Sequence, residues 1–341
     1  MWRYILKRIL LMFVTTFIIL SLTFLLMKLI PFEYPAGTAE QRLPFYNNQV
    51  RLGYMYLVTN PASPADVTVT IGSNVFRFSH YPVMTQYFSW IRGIFTEWNW
   101  GLSTRIRLNV PAMEIILDRL PYSLRINIVS VLIAVPLGFV LGITGALYKN
   151  KPIDHVISTG VMIFISIPSF VMITFLLILF GYGLGWLPTQ WPSDNAPQNI
   201  KTLGFVIPVA ALSFGSIAGF ARYTRAELAD LMSSEFLLLA RTKGLTKTQS
   251  VIRHALRNSL VPIVPMIIGE FIGLLSGSMI LENLYGIPGL GSLFVDAIQQ
   301  KDYNVIMVDM AVYTMIGLFA TLLVDLSYGL VDPRIRMGAK K

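Results

Sequence analysis

The stretch EFLLLARTKGLTKTQSVIRHALRNSLVP, Glu235–Pro262, is polar and basic, yet it lies between two apolar segments each long enough to cross a bilayer. It begins with an acid and runs through a short helical pattern to Gly244. A second, basic helical pattern follows and ends at Leu260 and Pro262. Two helices are expected, Glu235–Lys243 and Lys247–Asn258. The break falls at Gly244, where a left-handed backbone meets no Cβ penalty. Thr246 is placed to cap the second helix by accepting a backbone N–H bond. Such a connector is either a basic loop held against anionic lipid or a surface that a partner reads.

Composition sets the solvent. Hydrophobic residues make up 54% of the 341, charged residues 13%, and mean hydropathy is +0.62. A soluble chain carries about a quarter charged residues, so this one is built for lipid. Without cysteine there is no disulfide framework and no thiolate site. His80, His155 and His254 are scattered without a metal-ligand spacing.

Six segments reach the roughly 20 apolar residues that a membrane helix needs. They lie near Ile9–Ile30, Leu124–Leu147, Val156–Phe180, Leu203–Ala221, Val261–Leu281 and Val305–Leu330. Backbone groups in lipid must pair within their own segment, and these runs lack strand alternation, so each is expected as a helix. The fold class is therefore all-α membrane protein. Lys and Arg fix the orientation: Arg3, Lys7 and Arg8 precede the first span, and Lys149 and Lys151 follow the second. Arg222 to Arg257 follow the fourth, and Arg334 to Lys341 close the chain. The opposite short loops offer only Lys201 and Lys301. Both termini are expected in the cytoplasm of a prokaryotic inner or plasma membrane, and the net charge of +9 needs no nucleic acid. The first apolar run, about 22 residues, exceeds a signal-peptide core and is expected to stay as a helix.

The linear division is 1–30 for the first helix, 31–123 for a long extracytoplasmic loop, 124–330 for a five-helix core holding the connector 222–260, and 331–341 for a tail. Within the loop, Val67–Phe78 alternates around Gly-Ser-Asn and reads as a β-hairpin. Trp90, Trp98 and Trp100 in Tyr87–Thr104 suit a helix at the headgroups, with a lectin-like aromatic site as the other reading. Pro111–Tyr122 reads as a short amphipathic helix leading into the second span.

Gly181-Tyr182-Gly183-Leu184-Gly185 lacks the lysine and the preceding strand of a phosphate loop and reads as an external turn. No catalytic or metal-binding constellation stands out, and the chain is not expected to be an enzyme. Gly269, Gly273 and Gly277 recur every four residues on one helix face, which admits close helix approach. They read equally as internal packing or as a partner-facing or pathway-lining face. Gly138 and Gly142, and Gly215 and Gly219, read as internal packing. Glu270, Asp309 and Asp325 are intramembrane carboxylates, functional candidates by default. The two aspartates lie near the span ends and are expected to reach the interfaces, whereas Glu270 is deeper.

Several landmarks occur in one order: WNWGLST at Trp98–Thr104, EIILDRLPYSLRINIVSVLIAVPLGFVLG at Glu114–Gly142, IPSFV at Ile167–Val171 and LGWLP at Leu184–Pro188. ARTKGL at Ala240–Leu245, RHALRNSLVP at Arg253–Pro262, YGIPGLGSL at Tyr285–Leu293, KDYNVI at Lys301–Ile306 and DPRIR at Asp332–Arg336 complete the set. From Tyr87 to Arg336 the chain resembles the inner-membrane permeases of oligopeptide and dipeptide ABC importers, specifically the first of their two paired permeases. It departs in two places. The general coupling consensus starts Glu-Ala-Ala where this chain has Leu238-Leu239-Ala240, a departure common among peptide permeases, and Val67–Pro82 lengthens the external loop.

The resemblance implies the type I ABC importer permease fold and coupling to an ATPase through Glu235, Ala240, Arg241, Thr242, Lys243, Gly244 and Leu245. It also implies a sister permease, two ATPase subunits that hold ATP and magnesium, an extracytoplasmic binding protein, and no cofactor or metal on this chain. Pathway and gate candidates are Gly269, Glu270, Gly273, Ser276, Gly277, Gly286, Pro288, Gly289 and Gly291. Other cargo of the same fold (nickel, glutathione, oligosaccharide) and an ATP-independent carrier using Glu270 stay open at this point.

Overall fold

The computed structural model describes residues 2–30, 37–275 and 278–331. Ser276, Gly277 and the terminal landmark Asp332–Arg336 lie outside the described residues. In chain order the helices are α1 Trp2–Leu29, α2 Ala39–Arg51, α3 Val83–Glu97, α4 Ala112–Leu147, α5 Pro152–Ser166, α6 Ser169–Leu176 and α7 Gln198–Gly204. Then come α8 Val206–Leu231, α9 Glu235–Thr242, α10 Lys247–Ser250, α11 Leu256–Leu275, α12 Met279–Tyr285, α13 Leu290–Gln300 and α14 Tyr303–Val331. π-Helical turns at Leu177–Gly183 and Val251–Ala255 extend α6 and join α10 to α11. Strands β1 Met55–Leu57, β2 Val67–Ile71 and β3 Asn74–His80 lie between α2 and α3.

Four stretches are long and apolar enough to cross a membrane unbroken: Ile5–Leu29, Ala112–Leu147, Gln198–Leu231 and Tyr303–Tyr328. Two bent pairs bring the total to as many as six. The third expected span is not straight, because Pro152–Ser166 and Ser169–Gly183 meet at 100°. Ile167 is extended (φ −92°, ψ 114°) before Pro168, whose ring excludes a helical predecessor and which has no N–H to donate. A second bend, of 55°, separates Lys247–Ala255 from Asn258–Phe271 just ahead of the fifth expected span. Conversely, the short helix expected at Pro111–Tyr122 does not stand alone, since α4 runs unbroken through Pro121 and Pro136. Prolines are tolerated in membrane helices where neighbouring groups satisfy the freed carbonyls.

The chain forms two compact units. Among the described residues, one comprises 2–8, 121–292 and 316–331, and the other 9–120 with 293–315. In the first, α4 meets α8 across Gly138 and Gly142. A Cβ on Gly138 would stand 2.5 Å from Phe220 Cβ, and one on Gly142 would stand 2.6 Å from Thr224 Cβ and 2.8 Å from the Ala221 carbonyl. Close backbone approach is how helices associate where lipid removes the hydrophobic drive. Arg225 grips the buried Asp154 through two bonds, Nε–Oδ1 at 2.5 Å and Nη2–Oδ2 at 2.7 Å, tying α8 to α5. Asp325 pairs with Arg8 Nη2 at 2.7 Å.

In the second unit β2 and β3 form the expected hairpin, with Ile71 opposite Asn74 and Gly72 at φ +58°. β1 pairs with the far side of β3, a third strand too short to read from sequence. Trp90 and Trp100 are buried within the protein, which removes both surface readings for them; Trp98 alone is exposed. Asp309 is fully buried too, and does not reach a surface. Asp302 gathers the WNWGLST and KDYNVI landmarks. Its Oδ2 accepts from Ser103 Oγ at 2.5 Å and from the N–H groups of Thr104, Arg105 and Ile106 at 3.0 to 3.1 Å. The expected external turn at Gly181–Gly185 is largely helical: Gly181 and Gly183 lie in the π turn, and the reversal begins at Leu184.

Candidate functional site

The connector forms as its sequence dictates. α9 ends at Thr242, Gly244 takes φ +95° with nothing within 4 Å of a Cβ built on it, and Thr246 caps α10. The cap is a reciprocal capping box, Thr246 Oγ1 accepting from Gln249 N and Gln249 Oε1 from Thr246 N. The second helix does not stop at Asn258 but continues through the π turn into α11. One residue anchors α9. Leu237, 2% exposed, packs in a cluster with Ala146, Leu228, Val251 and Ala255. Lys247 Nζ donates to the Leu147 carbonyl at 2.6 Å, a cation on the C-terminal end of α4.

Most of the rest of α9 faces outward. Phe236, Leu238 and Leu239 are exposed, and so are Glu235, Arg241, Thr242, Lys243 and Gly244; Ala240 and Leu245 are half-buried. An apolar ridge rimmed by basic residues, on a short helix fixed from below, has the make-up of a docking surface.

A second assembly surrounds Tyr285–Leu293. α12 starts at Ser278, whose hydroxyl accepts from Leu281 N, and stops at Gly286 in the left-handed region (φ 71°). Glu282, 3% exposed, projects from α12 onto the first turn of α13. Its Oε1 accepts from Ser123 Oγ at 2.8 Å and its Oε2 from Ser292 N at 3.1 Å. Ser123 Oγ in turn accepts from Leu290 N at 2.9 Å. An anion at the N-terminal end of a helix satisfies donors that the helix leaves unpaired. Burial works against this anion and raises the Glu282 carboxyl above its ordinary range, while the bonds from Ser123 and the backbone oppose that rise.

Glycine is required here by contact. A Cβ on Gly289 would strike Glu282 Oε2 and lie 2.5 Å from Ser123 Oγ, and one on Gly291 would lie 2.8 Å from Met279 Cα. Tyr285 OH donates to the Pro188 carbonyl at 3.0 Å, and Trp191 N donates to the Tyr285 carbonyl at 2.8 Å. Three landmarks far apart in sequence, LGWLP, the start of α4 and YGIPGLGSL, thus make one structure. Glu282, Ser123 and Tyr285 were not among the site residues expected from sequence, because their partners lie up to 167 positions away.

The glycine-rich face of α11 divides. A Cβ on Gly269 would lie 3.7 Å from Val324 Cγ2 of α14, ordinary packing distance, so this position faces a helix of the same chain. Gly273 lies in α11. Its neighbour Glu270 instead lines a cavity of about 280 Å³ with Ser169, Gly215, Ser216, Gly219 and Met266. Ser216 Oγ and Glu270 Oε1 are bonded across it. The internal-packing reading of Gly215 and Gly219 is therefore corrected: a Cβ on Gly215 meets nothing within 4 Å, and one on Gly219 meets only Met266 Cε at 3.8 Å. Small residues here leave space rather than close it. Four-residue spacing in the sequence is the same for both uses, which is why it did not separate them. Among the described residues, no group of acids and histidines is arranged to hold a metal ion.

Residues 134–337 match the family model described as binding-protein-dependent transport system inner membrane component. The dipeptide transport system permease protein DppB of Lactococcus lactis subsp. cremoris is 34% identical over 338 residues, 99% of this chain and 100% of the relative. DppB of Bacillus subtilis is 33% identical over 100% of both chains. The oligopeptide transport system permease protein OppB of Escherichia coli K12 is 30% identical over 98% of this chain and 100% of the relative. Among solved structures, a chain of the inward-facing MetNI methionine ABC transporter matches with TM-score 0.50 at 17% identity, covering 64% of this chain and 97% of that one. At that identity the likeness is one of fold.

Proposed function

This chain belongs to the family of binding-protein-dependent transport system inner membrane components, and from that membership we propose that it is a permease subunit of an ATP-driven importer of short peptides. It is a multi-pass inner-membrane transport component. The observation that carries the cargo assignment is full-length similarity, at 30–34% identity, to permeases named for dipeptide and oligopeptide transport.

In this reading the chain contributes half of a translocation path, a sister permease supplies the other half, and both termini face the cytoplasm. Two ATPase subunits hold the ATP and magnesium and dock on the ridge of α9 between Glu235 and Leu245. The α9 geometry supports that role, because a helix pinned by Leu237 to the ends of α4, α8 and α11 transmits a push to all three. Closure of the ATPases then rocks these helices as rigid bodies. An extracytoplasmic binding protein delivers the peptide, with Gly286–Gly291 as the outer gate and the Glu270 cavity in the path.

Growth tests the cargo. In a strain auxotrophic for one amino acid, deletion of this gene is expected to abolish growth on a short peptide containing that residue, and to leave growth on the free amino acid unchanged. Undiminished growth on the peptide, in a strain without a second peptide uptake system, removes the peptide assignment.

A further inference from the structure

A cavity of about 430 Å³ lies in the unit formed by residues 9–120 and 293–315, and neither the connector nor the gate uses it. Phe24, Phe45, Trp90 and Met307 supply apolar wall, with Phe24 and Trp90 stacked at 5.0 Å between ring centroids. Lys28 lies among them, in the last turn of α1. Lysines at the end of a span ordinarily extend outward to the water. Lys28 Nζ instead stands over the rings of Tyr54, at 4.6 Å, and Phe24, at 5.3 Å. Arg105 and Lys301 line the same space, and no Asp or Glu is among its described lining residues.

Cations set in apolar walls complement an anion carried on an apolar body. The depth says which. Two further lining residues, Leu29 and Ile30, are exposed and close the first membrane-spanning helix, at the level of lipid headgroups. Leu26 and Leu22, one and two turns earlier on the same helix, are exposed as well and offer acyl chains a surface leading into the bilayer. A free anion gains nothing from the aromatic walls and a zwitterionic lipid little from the cations. A short peptide gains from these cations at its carboxylate, but no Asp or Glu among the described lining residues pairs with its ammonium.

We propose that this cavity is a binding site for an anionic phospholipid, with its phosphate at Lys28 and its acyl chains along α1. The proposal depends on neither the cargo assignment nor the proposed path.

The test uses the intact complex in phosphatidylcholine nanodiscs containing a phosphatidylglycerol with a photoreactive group in its acyl chain. Parallel discs carry the same group on phosphatidylcholine. Peptide mapping is expected to place the phosphatidylglycerol label within residues 22–30 or 81–90, with little label from phosphatidylcholine. Lys28→Ala is expected to lower labelling about fivefold, the factor that one basic residue near an anionic surface contributes. Lys28→Arg, which keeps the charge, should retain labelling. Met307→Trp, which fills the cavity and leaves the charge in place, should reduce it, so the test survives if Lys28→Ala fails to fold. Equal labelling by both lipids, or labelling unchanged in both Lys28→Ala and Met307→Trp, overturns the proposal. Competition by inorganic phosphate reassigns the cavity to a free anion, and competition by a short peptide reassigns it to cargo; either result also overturns it.

Discussion

A methyl group at Gly289 has nowhere to go between Glu282 Oε2 and Ser123 Oγ, and both belong to a buried bonded network. Gly289→Ala is therefore expected to destabilise the protein by about 1–3 kcal/mol, the usual cost of overpacking. Gly286→Ala meets no neighbour but keeps φ near +71°, a strain of about 1–2 kcal/mol. Gly215→Leu tests the opposite case, since its side chain has open space to enter. Thermal melts of the purified complex should rank Gly289→Ala below wild type and leave Gly215→Leu close to it, while peptide uptake by Gly215→Leu falls because the Glu270 cavity is filled. A Gly215→Leu variant that transports normally takes that cavity out of the path. The glycines were legible in the sequence, but their opposite roles were not. Whether a missing Cβ admits a neighbour or leaves a space depends on the facing helix.

At the level of elements, local chemistry was readable and long-range pairing was not. Gly244 breaking two helices, Thr246 capping one of them, and the Val67–Phe78 hairpin all follow from residues within a few positions of one another. The bend at Pro168 was hidden in an apolar run long enough to pass for one span. The pairing of Asp154 with Arg225, 71 residues apart, had no local signal at all. Breaking a buried ion pair from one side costs about 3–5 kcal/mol. Asp154→Ala should thus cut the yield of folded complex, and Arg225→Lys should not fully replace a two-point grip.

The hairpin carries a pH signature. The backbone and then the side chain of His80 hold the Asp66 carboxyl below the usual carboxylate range. The contribution is present above the unfolded carboxylate value, near pH 4, and is lost as pH falls through the lower folded value. Protection of the β2 and β3 amides, taken as exchange relative to the intrinsic rate at each pH, is expected to fall on that descent, and Asp66→Asn should remove the acid-dependent part. Protection that stays constant across that range in the wild type contradicts the assignment.

For the molecule as a whole, two compact units are drawn from interleaved stretches of one chain, and the landmarks that looked like separate motifs meet in threes and pairs around buried carboxylates. That explains how sequence order identified a family while leaving Glu282, which organises the proposed gate, unnoticed. The central claim is that this chain does no work alone and is driven through α9. Leu237→Ala, which loosens α9 from its anchor at a cost of about 2–5 kcal/mol, should leave ATP hydrolysis by the assembled complex unmatched by uptake.

The most direct measurement is affinity purification of the tagged chain from its own membranes in mild detergent, with every co-purifying protein identified and the pull-down repeated on a chain whose exposed Leu239 and Arg241 are both replaced by Asp. The account predicts a second permease and an ATPase pair with the wild type, and loss of the ATPases alone with the variant. A chain that purifies by itself and still transports peptide when reconstituted would contradict it.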